Sequence, residues 1–151
     1  LKILRGWSQD ILPGLKKKSF DLVYIDGDHS YQSVSLDIEN SLELVCDGGF
    51  ICGDDLEIQA HHLDTDPVTI DASLDKQYDN KKDIIYHPGV TLAVKENFGP
   101  VSSWHGFWAM QKKGKEWHKV SLDGMPIHIP RNISGKNLVG LKALLMKSGL
   151  L

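Results

Sequence analysis

Residues 20–56, FDLVYIDGDHSYQSVSLDIENSLELVCDGGFICGDDL, decide the fold of this chain. The unbroken apolar run at 22–25 is too short for a helix of its own and indicates a strand buried on both faces, as in a parallel sheet. A second apolar run at 50–52 predicts a neighbouring strand. Between the two runs, residues 30–45 carry apolar side chains at helical spacing, and Gly48–Gly49 is typical of a helix C-terminus. The apolar positions of this helix are Val34, Ile38, Leu42 and Val45. The stretch therefore predicts a β-α-β unit with a right-handed crossover.

Carboxylates follow both predicted strands. Asp26 and Asp28 follow the first strand, and Asp54 and Asp55 follow the second. Because open α/β sheets bind ligands at the carboxyl ends of their strands, we expect these four side chains to converge on one ligand-binding edge. Like charges this close repel and raise one another's pKa unless they are neutralised. The pattern favours a divalent cation that prefers oxygen ligands, such as Mg²⁺, Mn²⁺ or Ca²⁺, over a set of helix caps and turns.

This stretch resembles the class I S-adenosylmethionine-dependent, metal-dependent O-methyltransferases, in their catechol O-methyltransferase-like and macrocin/aminocoumarin sugar O-methyltransferase branches. The resemblance implies that Asp26, Asp54 and Asp55 hold the metal. The spelling D-G-D-H-S-Y is nearer the sugar branch, which places the general base at Asp28. The catechol branch places the base at the position of His29. Asp28 is slightly preferred, and local hydrogen bonding at a helix start is the other interpretation of His29.

An N-terminal segment carries the resemblance to the cofactor site. Residues 6–10, G-W-S-Q-D, are similar to the segment after the third strand of the catechol branch. The resemblance implies that Ser8 and Gln9 contact the adenine of S-adenosylmethionine, that Trp7 covers the ring, and that Asp26 also belongs to the cofactor site. Alone, S-Q-D is equally typical of a helix N-cap. Residues 1–4 predict a short strand and residues 11–18 a short helix.

The family's glycine-rich loop and first two strands have no counterpart in this sequence. The resemblance covers the C-terminal two thirds of such a domain, and an N-terminally truncated piece of a longer protein is the preferred explanation over a shortened form. Without the usual neighbours of strand 1–4 the sheet has an open edge. Since open edges pair with other chains, a homodimer is possible.

The rest of the chain predicts a lid, a helix, a hairpin and a C-terminal helix. Residues 57–87 form a long, weakly periodic acidic stretch. We expect this stretch to be a substrate-covering loop, with His61 and His62 near the substrate. A second metal site at H-H-x-D-x-D is less favoured than a solvated acidic loop. A helix is predicted over 90–98, opened by His87-Pro88-Gly89. A β-hairpin is predicted over 103–122 around a turn at 113–115, and a helix over 137–150. The hairpin's Trp104, Trp108 and Trp117 are expected to pack in the core or within the hairpin, and an aromatic acceptor pocket is the less favoured alternative.

Composition sets the broad class. The chain has 151 residues, a formal charge of -3 and 41% hydrophobic residues. We expect one α/β domain over 1–151, with a Rossmann-like methyltransferase sheet that is mostly parallel and ends in an antiparallel hairpin. The mild acidity argues against a nucleic-acid partner. We find no long apolar run and no recognisable signal peptide, and therefore expect no membrane partner. The two cysteines are expected to be reduced core thiols, which is typical of a cytoplasmic protein.

Three functions follow as hypotheses. The first is S-adenosylmethionine-dependent, divalent-metal-assisted methylation of a small molecule's hydroxyl, in a vicinal diol or catechol. The second is a haloacid dehalogenase-like, Mg²⁺-dependent phosphatase, which also begins with strand-D-x-D; the cap, the Lys-bearing segment and the Thr of that family have no match here. The third is a non-catalytic, truncated methyltransferase-like interaction module.

Overall fold

The structure is a computed structural model that describes residues 2–63 and 70–122. Its helices and strands are α1 (Ser8–Ile11), β1 (Phe20–Ile25), α2 (Tyr31–Leu42), β2 (Val45–Leu56), β3 (Gln77–Asp79), β4 (Ile84–Tyr86), α3 (Pro88–Phe98), β5 (Ser102–Trp104), β6 (Gly106–Lys113) and β7 (Glu116–Lys119). The predicted helix over 137–150 lies outside the described residues. No helix in the described ranges is long and apolar enough to cross a membrane.

One mixed sheet forms the centre of the molecule. Its order is β1-β2-β6-β5, and β7 pairs with β6 beside β5. The β1–β2 pair is parallel, whereas β6 runs antiparallel to β2, β5 and β7. The sheet is therefore mixed rather than mostly parallel in its described part, and it is compatible with a Rossmann-like fold. The predicted hairpin is confirmed as β6–β7, but its first strand is divided at His105, where the chain turns from β5 into β6.

The β-α-β unit is confirmed with shifted boundaries. Helix α2 begins after Ser30, whose side chain accepts a hydrogen bond from the backbone N–H of Ser33. It ends at Leu42, so Val45 starts β2 instead of belonging to the helix. The prediction that Gly48 and its neighbour end the helix was wrong. Gly48 lies inside β2 with φ of 81°, near a register shift in the β1–β2 ladder, and a bulged strand uses the same left-handed backbone that a helix end uses.

The core covers one face of β1 only. Val23 and Ile25 pack against a buried cluster built from α2, α3, β2 and β6. Leu22 and Tyr24, which alternate with them, are 56% and 47% exposed. The prediction of a strand buried on both faces was therefore wrong for the described residues, in which no layer of chain covers the face of β1 that carries Leu22 and Tyr24.

The N-terminal segment also differs from expectation. Residues 2–4 form no strand, and the outer edge of β1 pairs with no other strand of the described residues. Instead of a helix over 11–18, the structure has α1 followed by a 3₁₀ turn at Leu12–Gly14. Pro13 explains the change, because it has no N–H with which to continue an α-helix. The homodimer through an open sheet edge at residues 1–4 stays a prediction.

The stretch expected to be a long loop, 57–87, contains local structure in its described part. It holds a 3₁₀ turn at Ala60–His62 and the β3–β4 hairpin. These elements enclose a second apolar cluster formed by Ile58, Leu63, Ile70 and Tyr86. Helix α3 follows as predicted and ends at Gly99, whose φ is 68°. The stretch is thus a small packed layer beside the start of α3.

Candidate functional site

The segment before β1 and the end of β1 enclose a cavity of about 420 Å³. The sequence-predicted cofactor residues Trp7, Ser8, Gln9 and Asp26 all line it, together with Asp28. Trp7 is 74% exposed, so its ring is available to a ligand. The structure therefore brings together the side chains that the resemblance assigned to one cofactor site.

Asp28 lies at the start of α2 and is held by serines. Its carboxylate accepts hydrogen bonds from Ser30 Oγ at 2.7 Å and Ser33 Oγ at 2.8 Å. These bonds, that of Ser30 first, lower the pKa of Asp28 below its usual value. Since a carboxylate with a lowered pKa is a weaker proton acceptor, the environment of Asp28 is that of a helix N-terminus more than that of a general base.

His29 is bound by two carboxylates from distant parts of the chain. Its Nε2 lies 3.1 Å from Asp55 Oδ2, and its Nδ1 lies 3.0 Å from Asp75 Oδ1. The bond to Asp75 and then the charge of Asp55 raise the pKa of His29, against an opposing effect of burial. The interpretation that His29 hydrogen-bonds only locally, at its own helix start, is therefore wrong. Both ring nitrogens face carboxylate oxygens. A proton on the imidazole or a bound cation would offset the negative charge of these two carboxylates.

A second histidine, His87, was not identified from the sequence as a site residue. It is the N-cap of α3 and is 5% exposed. Its Nδ1 lies 2.8 Å from Glu57 Oε1, and its backbone N–H donates to Glu57 Oε2 at 3.1 Å. Its Nε2 is buried without a hydrogen-bond partner. The sequence signal was the His-Pro-Gly helix start, which by itself reads as a cap.

The two helix starts bring the histidines together. The ring centroids of His29 and His87 are 4.3 Å apart. Gly89 makes this possible, because a Cβ there would clash with the backbone of His29 and Tyr31. One potential ligand atom from each of His29, Asp55 and His87 lies within 4.8 Å of the others. We call these three residues the histidine–aspartate cluster.

The predicted all-carboxylate metal set is only partly brought together. Asp26, Asp28, Asp54 and Asp55 line one small cavity of about 10 Å³ beside His29. Asp54 accepts hydrogen bonds from the Tyr24 hydroxyl at 3.3 Å and from its neighbour's backbone N–H at 3.0 Å. Within the described ranges, the histidine–aspartate cluster is the group of three donors close enough for one ion, and of the predicted ligands it contains Asp55 alone. Asp55 has a φ of 62°, a conformation that turns its side chain out of the strand register.

His61 and His62 lie elsewhere. Their rings pack 4.0 Å apart in the 3₁₀ turn. His61 lines a different cavity, of about 440 Å³, between that turn and α3. Burial lowers the pKa of His61 below its usual value. Their position near a substrate stays a prediction, and the two aspartates of the H-H-x-D-x-D pattern lie outside the described residues.

The comparisons with known proteins concern the first part of the chain. Residues 1–56 match the family model described as a methyltransferase domain. The matched segment contains Trp7, Ser8, Gln9, Asp26 and Asp28, which line the cavity before β1, and it ends just after Asp54 and Asp55. It supports a methyltransferase family, and such a family implies S-adenosylmethionine as methyl donor. Neither the search of curated proteins nor that of solved structures found a match.

Proposed function

We propose that the protein is an S-adenosylmethionine-dependent O-methyltransferase that methylates a hydroxyl of a small molecule with the help of a divalent cation. One observation carries the proposal. The segment that matches a methyltransferase domain lines a cavity of about 420 Å³. The residues at the end of β1 line this cavity and also the small cavity formed by the carboxylates and His29, so the two cavities are adjacent.

The cavity residues suit the adenosine part of the donor. Trp7 offers an exposed aromatic face, and Ser8 and Gln9 offer a hydroxyl and an amide for the edge of a base. When bound, S-adenosylmethionine supplies a methyl group on a positively charged sulfur. In the net reaction the S–CH₃ bond breaks as the O–CH₃ bond forms, and the acceptor's hydroxyl proton passes to a base. The carboxylate of Asp26, which also lines this cavity, would offer negative charge to a positively charged donor bound there.

The carboxylate side of the site suits the acceptor. Asp54 and Asp55 lie next to Asp26 and His29 around the small cavity. A divalent cation held there would lower the pKa of an acceptor hydroxyl, and a vicinal second hydroxyl would complete its coordination. Asp28 and His29 stay the two candidates for the proton acceptor, and the lowered pKa of Asp28 makes it the weaker base of the two.

Calorimetric titration of the chain with S-adenosylhomocysteine tests this function, followed by a methyl-transfer assay on catechols and sugar diols with and without metal. We expect binding without metal and transfer only with metal. A folded chain that binds no S-adenosylhomocysteine would contradict the proposal and favour the non-catalytic module. Hydrolysis of a phosphate monoester with Mg²⁺ would favour the phosphatase instead.

A further inference from the structure

Each histidine of the cluster is held from one side by a carboxylate that lies outside the cluster. Asp75 contacts Nδ1 of His29, and Glu57 contacts Nδ1 of His87. Metal-binding histidines in proteins commonly donate one ring N–H to a carboxylate, which fixes the tautomer and leaves the other nitrogen for the ion. His29 then presents Nε2, which lies 3.1 Å from Asp55 Oδ2.

His87 gives an independent observation that points to a ligand. Its side chain is 7% exposed, and its Nε2 has no hydrogen-bond partner. A buried polar nitrogen without a partner is costly and rare, so that it calls for an explanation such as an ion that is part of the site. Because Glu57 already occupies Nδ1, Nε2 is the nitrogen that an ion would satisfy.

We propose that His29, Asp55 and His87 bind a first-row divalent transition metal ion, with Asp75 and Glu57 orienting the two imidazoles from behind. The spacing is suitable, because nitrogen and carboxylate ligands lie about 2.0–2.2 Å from such an ion and are therefore about 3–4 Å apart from each other. Asp55 Oδ2 lies 3.1 Å from Nε2 of His29, which is within that range, and one potential ligand atom of each of the three residues lies within 4.8 Å of the others.

The donor set determines the class of metal. Two imidazoles and one carboxylate suit Zn²⁺, Co²⁺ or Mn²⁺, whereas Mg²⁺ prefers oxygen ligands and keeps several waters. We expect affinity to fall from Zn²⁺ through Co²⁺ to Mn²⁺, with Mg²⁺ the weakest. Three protein ligands also leave positions open for the oxygens of a bound molecule.

This inference deepens the proposed function by naming its metal and ligands, and in that respect it rests on it. His29 becomes a ligand and no longer a candidate base. A metal ion held there would lower the pKa of a bound hydroxyl, and Asp28 would remain the candidate that accepts its proton. Metal binding is measured without methyl donor or acceptor, so the two proposals can fail separately.

The test uses the untagged chain and three metals. Zn²⁺, Co²⁺ and Mg²⁺ are titrated separately by calorimetry, and the Co²⁺ and Zn²⁺ forms are examined by visible and X-ray absorption spectroscopy. We expect one tight Zn²⁺ site, Co²⁺ bands typical of mixed nitrogen and oxygen ligands, and scattering from imidazole rings. A coordination shell of oxygen alone, or Mg²⁺ binding as tightly as Zn²⁺, would overturn the proposal in the wild-type chain.

Variants then assign the ligands. His87→Gln should weaken Zn²⁺ binding the most, and Glu57→Gln should weaken it about 10- to 100-fold, since Glu57 touches the imidazole and not the ion. His118→Gln, in the exposed hairpin, is the matched control and should bind Zn²⁺ as the wild type does. If Asp26→Asn loses metal while a folded His87→Gln retains it, the all-carboxylate set is the correct one. If His87→Gln does not fold, the Co²⁺ and Zn²⁺ spectra of the wild-type chain decide between the histidine–aspartate cluster and the all-carboxylate set.

Discussion

The imidazole rings of His29 and His87 pack with their centroids 4.3 Å apart and their planes tilted by 53°. His29 precedes α2 and His87 caps α3, so this contact joins the N-terminal ends of the two core helices. The helices pack closely there because Gly89 lies directly against the backbone of His29 and Tyr31. The geometry of the candidate site therefore depends on the packing of the core.

Gly89→Ala should destabilise the fold and separate the two histidines. The added Cβ would overlap backbone atoms, which cannot rotate away, and overpacking of this kind costs about 1–3 kcal/mol. Urea unfolding of the variant measures the loss. Gly14→Ala is the control, because a Cβ there meets nothing within 4 Å. Equal stability of the two variants would show that the helix starts are not packed as described.

Ser33→Ala should raise the pKa of Asp28 toward its usual value. In the folded chain the bonds from Ser30 and Ser33 hold this pKa low, so they contribute stability above the unfolded pKa, and that contribution is lost as the pH falls through the folded pKa. The wild type should therefore lose stability on acidification more steeply than the variant. NMR titration of the Asp28 carboxyl gives the pKa directly, and Ser19→Ala, far from the site, should leave it unchanged.

Trp7→Ala should weaken binding of S-adenosylhomocysteine. Loss of an aromatic face under a base costs about 1–3 kcal/mol, which is roughly a 5- to 150-fold loss of affinity. Trp104→Ala is the matched control, because Trp104 is 62% exposed and does not line the cavity that Trp7 lines. Calorimetry on the three proteins checks the prediction, and equal weakening by both variants would argue against an adenine site at Trp7.

Lys112→Met should destabilise the fold by about 1–3 kcal/mol. The ammonium group of Lys112 donates hydrogen bonds to the carbonyls of Leu42 at 2.7 Å and Val45 at 3.0 Å, and so joins the hairpin to the end of α2. A methionine has similar length but cannot donate a hydrogen bond to these carbonyls. Lys113→Met, one residue along on the exposed side, should change stability little. Thermal unfolding followed by circular dichroism distinguishes the two.

The local elements were predictable because their signals are local. Apolar spacing gave the β-α-β unit and α3, and Lys113-Gly114-Lys115 gave the turn between β6 and β7. The errors concern properties that depend on neighbours. A glycine that ends a helix and a glycine in a strand bulge, such as Gly48, both have a positive φ, so the residue type does not distinguish them. An edge strand such as β1 and a central strand can both contain an unbroken apolar run.

The candidate site divides in the same way. Asp26, Asp28, Asp54 and Asp55 come together around one cavity, as expected, because parallel strands end at one edge of the sheet. Whether they bind metal is a property of side-chain geometry. Among the described residues, the group with donor atoms within 4.8 Å of one another is His29, Asp55 and His87, which includes Asp55 of the predicted ligands but not Asp26 or Asp54; metal binding by the carboxylates stays a prediction.

The sequence by itself determined the β-α-β unit and the edge where its carboxylates gather, because periodicity and strand order act over short stretches of chain. The family resemblance, and not periodicity, pointed to the segment of Trp7, Ser8 and Gln9 that lines the cavity before β1. Only the tertiary structure decided that Asp75 and Glu57 support His29 and His87, and that these rings meet at Asp55. Those contacts join residues far apart in the chain. They arise from the close packing of α2 on α3 at Gly89, which no local pattern in the sequence specifies.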